Sequence, residues 1–255
     1  MIFDTHCHLN SKELYINHEK HIISAKNEGI ARFLVVGYDY ESSKIAVELA
    51  EKYDCVFAAV GYHPVDVLKA SEQELSNTFA LLKHPKVVAL GEIGLDYHWV
   101  EDEKDREKQK ELFVRQIKIA NENNLPVIIH NRDATEDCYK ILKEHKPLKQ
   151  GVMHCYSGSV EMAKEFIKLG LYISLGGPVT FKNAKTPKQV ATEIPLEYLL
   201  VETDCPYLAP HPLRGTLNEP KNIVYVVEEI ARLKNISRNE VEKVSFKNAK
   251  KLFHV

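Results

Sequence analysis

Short, nearly continuous apolar runs alternate with longer helix-like segments along almost the whole chain, and this alternation restricts the fold more than any other feature. The runs lie at residues 1–9, 32–37, 55–61, 87–91, 126–130, 151–154, 171–175 and 198–201. Helices are expected at 19–28, about 42–52, about 71–83, 104–123, about 133–144, 160–169 and 223–234, with a last one from Ser237 toward Phe253. Gly29 suits a helix stop because it accepts positive φ, and Ser71-x-x-Glu74 reads as a capping box. Apolar runs without polar alternation are the mark of strands covered on both faces, hence of a parallel sheet with helices outside it. Eight of them favour a closed (β/α)8 TIM barrel over an open doubly wound sheet. The G-x-G-x-x-G turn of such a sheet is also absent after the first strand.

With 255 residues and 44% apolar content the chain can bury a large core, and no linker, repeat or low-complexity segment divides it, so one domain over residues 1–255 is the simplest reading. The net charge of -2, from 34 basic and 36 acidic residues, supplies no general basic field, so any polyanion must be held locally. No apolar run approaches the roughly 20 residues of a membrane span. Met1 leads straight into a strand rather than a charged and then apolar leader, which points to a cytoplasmic protein. Five cysteines, an odd number without C-x-x-C spacing, argue against both a disulfide framework and a zinc ribbon. A monomer is assumed.

Barrel enzymes place their chemistry where strands end at the C-terminal face. Here strand one ends in His6 and His8, strand three in His63, strand four in Glu92, strand five in His130, strand six in His154 and strand eight in Glu202 and Asp204. One such residue is an ordinary polar strand end, but histidines and carboxylates converging on one mouth suit one or two divalent ions. Period-two alternation puts His6 and His8 on one face of their strand, with Thr5 and Cys7 turned away. The same alternation puts Asp204 within reach of an ion and its water, with Glu202 deeper behind it, and turns Cys155 and Cys205 away.

Asp4-Thr-His6-Cys-His8, Gly61-Tyr-His63-Pro64, Gly91-Glu92-Ile-Gly94-Leu-Asp96-Tyr97, Ile129-His130-Asn-Arg132, Met153-His154-Cys-Tyr156-Ser-Gly158 and Val201-Glu202-Thr-Asp204-Cys-Pro206-Tyr207 follow in order, with Arg214-Gly215 and Asn218-Glu219-Pro220 later. Together these segments resemble the TatD-type metal-dependent deoxyribonucleases, a branch of the amidohydrolase superfamily. The resemblance implies a TIM barrel with two divalent metal ions (Mg, Mn, Zn or Co). His6, His8 and Asp204 would hold one, His130 and His154 the other, and Glu92 would bridge them where many relatives use a carboxylated lysine.

Hydrolysis of a phosphodiester by water is then expected, with Asp204 helping to deprotonate the water and His63 or His154 stabilising the phosphoryl oxygens. Arg132, Arg214 and the loop Lys182-x-x-Lys185-x-x-Lys188 after strand seven are candidate phosphate contacts. Tyr97, Trp99, Tyr156 and Tyr207 are candidate base-stacking residues. A deep site of this kind suits DNA ends or single strands, hence an exonuclease. The alternatives are a metal-dependent ester or amide hydrolase, including one that removes an aminoacyl group from tRNA, and a binding protein with a structural metal. Asp4 is expected to orient the His6 imidazole or to close the barrel floor.

Overall fold

A computed structural model describes residues 1–255. Eight parallel strands stand in chain order in one sheet: β1 Ile2–Cys7, β2 Ile30–Val36, β3 Val56–Val60, β4 Val87–Asp96, β5 Val127–Arg132, β6 Gly151–Met153, β7 Leu171–Leu175 and β8 Leu199–Val201. The helices are α1 Lys12–Tyr15, α2 His18–Asn27, α3 Tyr40–Lys52, α4 Glu72–Ala80, α5 Glu103–Glu122, α6 Thr135–Glu144, α7 Val160–Lys168, α8 Lys185–Glu193, α9 Ile223–Lys234 and α10 Arg238–Phe253. This is the (β/α)8 TIM barrel, and no helix in it is long and apolar enough to cross a membrane. The barrel closes where the end of β1 meets the end of β8. Backbone bonds run from His8 N to Cys205 O (2.8 Å) and from Asp204 N to His6 O (2.9 Å), and the Thr5 hydroxyl donates to Val201 O (2.9 Å).

The alternating faces of the strands separate two apolar layers. Phe33, Val35, Ala58, Leu90, Ile129, Ile173 and Val201 face the helices, packing on residues such as Ala46, Phe113 and Val227. Phe3, Leu34, Val36, Ala59, Ile128, Val152 and Leu200 pack with Ala249, Leu252 and Phe253 of α10, which plug the end of the barrel opposite the strand exits. The lower half of the interior is therefore filled with apolar side chains, with the Arg32 guanidinium lying on the rings of Phe57 and Phe246 beside them, while the buried histidines gather at the other end.

Register shifts interrupt the ladders at Ile2/Phe3, Asp4/Cys7, Ala58/Ala59 and Leu90/Ile93, and two of these bear on the site. Between Asp4 and Cys7, β1 advances three residues against the two from Phe33 to Val35 on β2. Thr5 is thereby turned to Ser174 of β7, 3.4 Å between hydroxyls, rather than away from the barrel. Between Leu90 and Ile93, β4 likewise advances three against the two from Val127 to Ile129 on β5. His6 and Glu92 lie in these bulges, where an extra residue re-aims side chains. Gly94, just past the second bulge at φ +141°, lets β4 lie close against β5, because a Cβ there would collide with the carbonyl of His130 across the ladder.

Three expectations change at the mouth. β4 continues through Glu92 to Asp96 and β5 through His130 to Arg132, so Glu92 and His130 are within strands and not at their ends. β8 stops at Val201, and Asp204 is turned inward by a left-handed backbone (φ 54°) and not by strand pleat. Lys185 and Lys188 belong to α8 and not to a loop, because a helix follows the Gly177–Thr180 turn. Lys188 lies 4.0 Å from Glu229 of α9.

Candidate metal and catalytic centre

His6, His8, Glu92, His130, His154 and Asp204 meet at the C-terminal mouth of the barrel, and the pattern turns on the two oxygens of Glu92. Its Oε1 lies 2.8 Å from His130 Nδ1 and 2.8 Å from His154 Nε2, with His63 Nε2 at 3.6 Å. Its Oε2 lies 3.4 Å from His6 Nε2 and 3.8 Å from His8 Nε2. Asp204 Oδ1 stands on this second side, 3.7 Å from His6 Nε2 and 3.5 Å from His8 Nε2. One carboxylate thus divides two histidine pairs, and a second carboxylate serves one of them.

The spacing within each pair tests whether a cation suits it. His6 Nε2 and His8 Nε2 are 3.1 Å apart, and His130 Nδ1 and His154 Nε2 are 3.3 Å apart. Nitrogens bonded to one ion at about 2.0–2.1 Å stand roughly 2.9–3.4 Å apart at octahedral to tetrahedral angles. Both pairs fit. Three sets of side chains offer ligand atoms within 4.8 Å of one another: His6, His8 and Glu92; His63, Glu92 and His130; and His6, His154 and Glu202.

Partners behind the centre hold its rings. His8 Nδ1 meets Val36 O at 2.9 Å, which leaves Nε2 for the cavity. His130 Nε2 meets Asp96 Oδ2 at 2.9 Å, which leaves Nδ1. The other Asp96 oxygen accepts from the backbone N–H groups of His98 (3.0 Å) and Trp99 (2.9 Å), so this carboxylate is itself fixed. Glu202 Oε1 accepts from Cys155 N at 2.5 Å and lies 3.4 Å from His154 Nδ1, behind that ring. Asp4 does not reach the His6 imidazole. It accepts from Thr203 N (3.0 Å) and the Thr203 hydroxyl (2.6 Å), tying β1 to the segment after β8.

Charge follows from this packing. Burial works against ionisation of Glu92, yet His154, His63 and His130 outweigh it and hold the carboxyl well below the ordinary range. Burial likewise opposes the charge on Asp204, and His8, His154 and His6 overcome it in the same direction. Burial also opposes protonation of His154, but Glu92 and Glu202 keep it well above the ordinary imidazole value. His8 and His130 are raised as well, against burial, by Asp204 in the first case and by Asp96 and Glu92 in the second. Burial, with His130 beside it, pushes His63 down to about 3.

A pH dependence follows. His154, raised on folding, stabilises the metal-free protein below the unfolded value of 6.5 and loses that contribution as pH rises through its folded value. Glu92, lowered on folding, contributes above 4.5 and loses it as pH falls through its folded value. Thermal unfolding in chelator is expected to show greatest stability between these two values. Titration with Mn²⁺ in buffers of different ionisation enthalpy is expected to show proton release, because raised histidines must deprotonate to ligate. A flat stability profile with no proton release would contradict this electrostatic picture.

The centre opens into a cavity of about 560 Å³ whose lining includes His8, His63, Glu92, His130, His154, Asp204 and Arg132. Tyr38, Trp99 and Tyr207 contribute aromatic faces to the same cavity, and the Arg132 guanidinium lies 5.5 Å from the Trp99 ring centre. His6 is fully buried behind the lining. Three expected substrate contacts stand elsewhere. Tyr156 is buried and donates its hydroxyl to Ser159 O (2.8 Å), because its ring fills the apolar layer beside Phe166. Arg214 lies over Phe181, 3.8 Å from the ring centre, outside the lining. Tyr97 is engaged outside the cavity too, donating to Asp137 at 2.7 Å. Asp96 had no role assigned from sequence, although residues 92, 94 and 96 of β4 alternate, a signal that could have placed it beside Glu92.

The sequence profile described as TatD related DNase matches residues 3–254. The chain is 50% identical over 256 residues to the uncharacterized metal-dependent hydrolase YabD of Bacillus subtilis, covering 100% of both chains. It is 36% identical over 258 residues to the uncharacterized metal-dependent hydrolase YcfH of Escherichia coli, covering 100% of this chain and 96% of that one. Among solved structures, that of YJJV, a TatD homolog from Escherichia coli, matches with a TM-score of 0.94 and 32% identity, covering 100% of this chain and 98% of that one.

Proposed function

The chain belongs to the TatD-related DNase family of metal-dependent hydrolases, and from that premise we propose that it hydrolyses phosphodiester bonds at the ends of DNA or in single strands. The observation that carries this reading is the division of the two Glu92 oxygens between two histidine pairs, each spaced for one cation. His6, His8 and Asp204 would hold one divalent ion and His130 and His154 the other, with Glu92 available to both. Bound there, such ions would neutralise phosphoryl charge and lower the pKa of water enough for attack at neutral pH.

The protein groups then divide the remaining work. Asp204, ionised at neutral pH and facing the cavity, accepts the proton of the attacking water. His63 acts as a donor. Its Nδ1 accepts from Val65 N–H at 3.2 Å, so the proton of the neutral ring is on Nε2, where it meets a non-bridging phosphoryl oxygen. Arg132, steadied by the Trp99 ring, takes a neighbouring phosphate, while Trp99, Tyr38 and Tyr207 offer faces to unpaired bases.

A cavity of about 560 Å³ with one lining arginine suits a strand end better than a duplex held along its length. End-labelled single-stranded DNA incubated with protein loaded with Mg²⁺, Mn²⁺, Co²⁺ or Zn²⁺ is expected to shorten progressively from one end. Failure to cleave with all four metals, together with hydrolysis of a carboxylic ester or of aminoacyl-tRNA, would replace this reading.

A further inference from the structure

Helix α5 carries two glutamines, Gln109 and Gln116, each 1% exposed. Seven residues apart, they lie on one face of the helix, two turns from each other. They share the buried stripe with Leu112, Phe113, Ile117 and Ala120, where an apolar residue is the default and a polar one needs a reason. Each amide gives one donor and one acceptor bond to the backbone of a single residue. Gln109 Oε1 accepts from Asp96 N at 3.0 Å while its Nε2 donates to Asp96 O at 3.2 Å. Gln116 Oε1 accepts from Tyr62 N at 2.9 Å while its Nε2 donates to Tyr62 O at 3.0 Å. A primary amide facing one residue's N–H and C=O does what a neighbouring strand would do at that point.

The two targets are those that aim site side chains. Asp96 ends β4 and holds His130 Nε2 through its carboxylate. Tyr62 lies beyond the end of β3 at Val60 and directly precedes His63. We propose that Gln109 and Gln116 are positioning residues through which α5 sets the site: Gln109 fixes Asp96 and thereby the ring of His130, and Gln116 fixes the turn that carries His63. This rests on the reading of His130 as a metal ligand and of His63 as a group that does not bind metal. β5 still pairs with β4 through Asp96 and Arg132, but the β3–β4 ladder ends at Val60 and Leu90, and the clamps take its place on that side and set both histidines relative to a single helix.

The test compares wild type, Gln109→Met and Gln116→Met, a substitution that keeps length and approximate volume while removing both hydrogen bonds. Metal-free proteins are titrated with Mn²⁺ by calorimetry, unfolded thermally, and examined for imidazole nitrogen shifts by NMR. Gln109→Met is expected to weaken one of two binding events about 10- to 100-fold, as loss of the partners that orient a ligand does, and to leave the other unchanged. Gln116→Met is expected to leave both events unchanged and to shift the ring nitrogens of His63. Both variants lower the unfolding midpoint.

A purely structural role would lower the midpoint in both while metal binding and imidazole shifts stayed at wild-type values, and that result overturns the proposal. If Gln109→Met does not fold, Gln109→Glu keeps the acceptor for Asp96 N–H and removes the donor to Asp96 O. The same selective loss supports the clamp, and unchanged binding overturns it. If wild type takes up fewer than two Mn²⁺ per chain, the two-cation reading fails, and the His130 ring shift in Gln109→Met decides the clamp by itself.

Discussion

Asp204→Asn is expected to keep its fold and to lose about three orders of magnitude in kcat at saturating metal. The backbone contacts of this residue do not involve the side chain: its N–H donates to His6 O at 2.9 Å and its carbonyl accepts from Tyr207 N at 2.9 Å. Asparagine is among the residues that best tolerate the left-handed conformation found here, so the barrel closure survives. What disappears is an anionic oxygen 3.5 Å from His8 Nε2 and 3.7 Å from His6 Nε2, the one carboxylate of the centre besides Glu92 that lines the cavity on that side. A positioned general base contributes about 10²–10⁴ in rate. The variant also loses a charged ligand, so rate is measured at metal concentrations where calorimetry shows full occupancy. Wild-type kcat at full occupancy would remove Asp204 from the role of base.

The barrel was legible because it depends on pattern. Strands covered by helices outside and by α10 and packed side chains inside must be apolar along their length, and eight such runs stand out against helices with one polar face. The site was legible for a related reason. A buried histidine or carboxylate in a layer that is otherwise Val, Ile and Ala is conspicuous, and its position at the end of a run places it at the barrel mouth.

What escaped is what local pattern does not encode. Bulges at His6 and Glu92 shift side-chain parity, and their trace in sequence is slight: glycines at 91 and 94 that could equally mark a turn. Tyr156 and Arg214 sit beside recognisable motifs, but whether they face the cavity depends on the packing of Phe166 and Phe181, which lie elsewhere in the chain. The lysines of residues 182–188 read as a loop because Pro187 and the preceding polar residues suppress a helical signal, although a proline within the first turn of α8 gives up no helical hydrogen bond. Asp96, Gln109 and Gln116 act on partners 34, 13 and 54 residues away. Side chains that work through another residue's geometry have no composition signal of their own.

Glu92→Gln is expected to cost at least one of the two proposed cations and about a thousandfold in rate, and it tests the centre more directly than any other substitution. The side chain keeps its shape, but a charge that meets five histidines within 3.8 Å is removed. One amide oxygen can face one pair, and the NH₂ group must then confront ring nitrogens of the other, so sharing between the pairs is lost. Each cation is worth several kcal/mol of transition-state stabilisation, and roughly 1.4 kcal/mol is tenfold in rate, which sets the expected loss. The metal-free variant also carries an internal check. Without Glu92, His154 and His130 lose an anion that raises them, so the stability maximum below pH 6.5 should flatten. Metal analysis and thermal unfolding across pH on one preparation therefore read the same residue twice. A variant that retained both cations and the acid-side maximum, yet lost activity, would mean that Glu92 acts on the substrate and that other groups hold the metals.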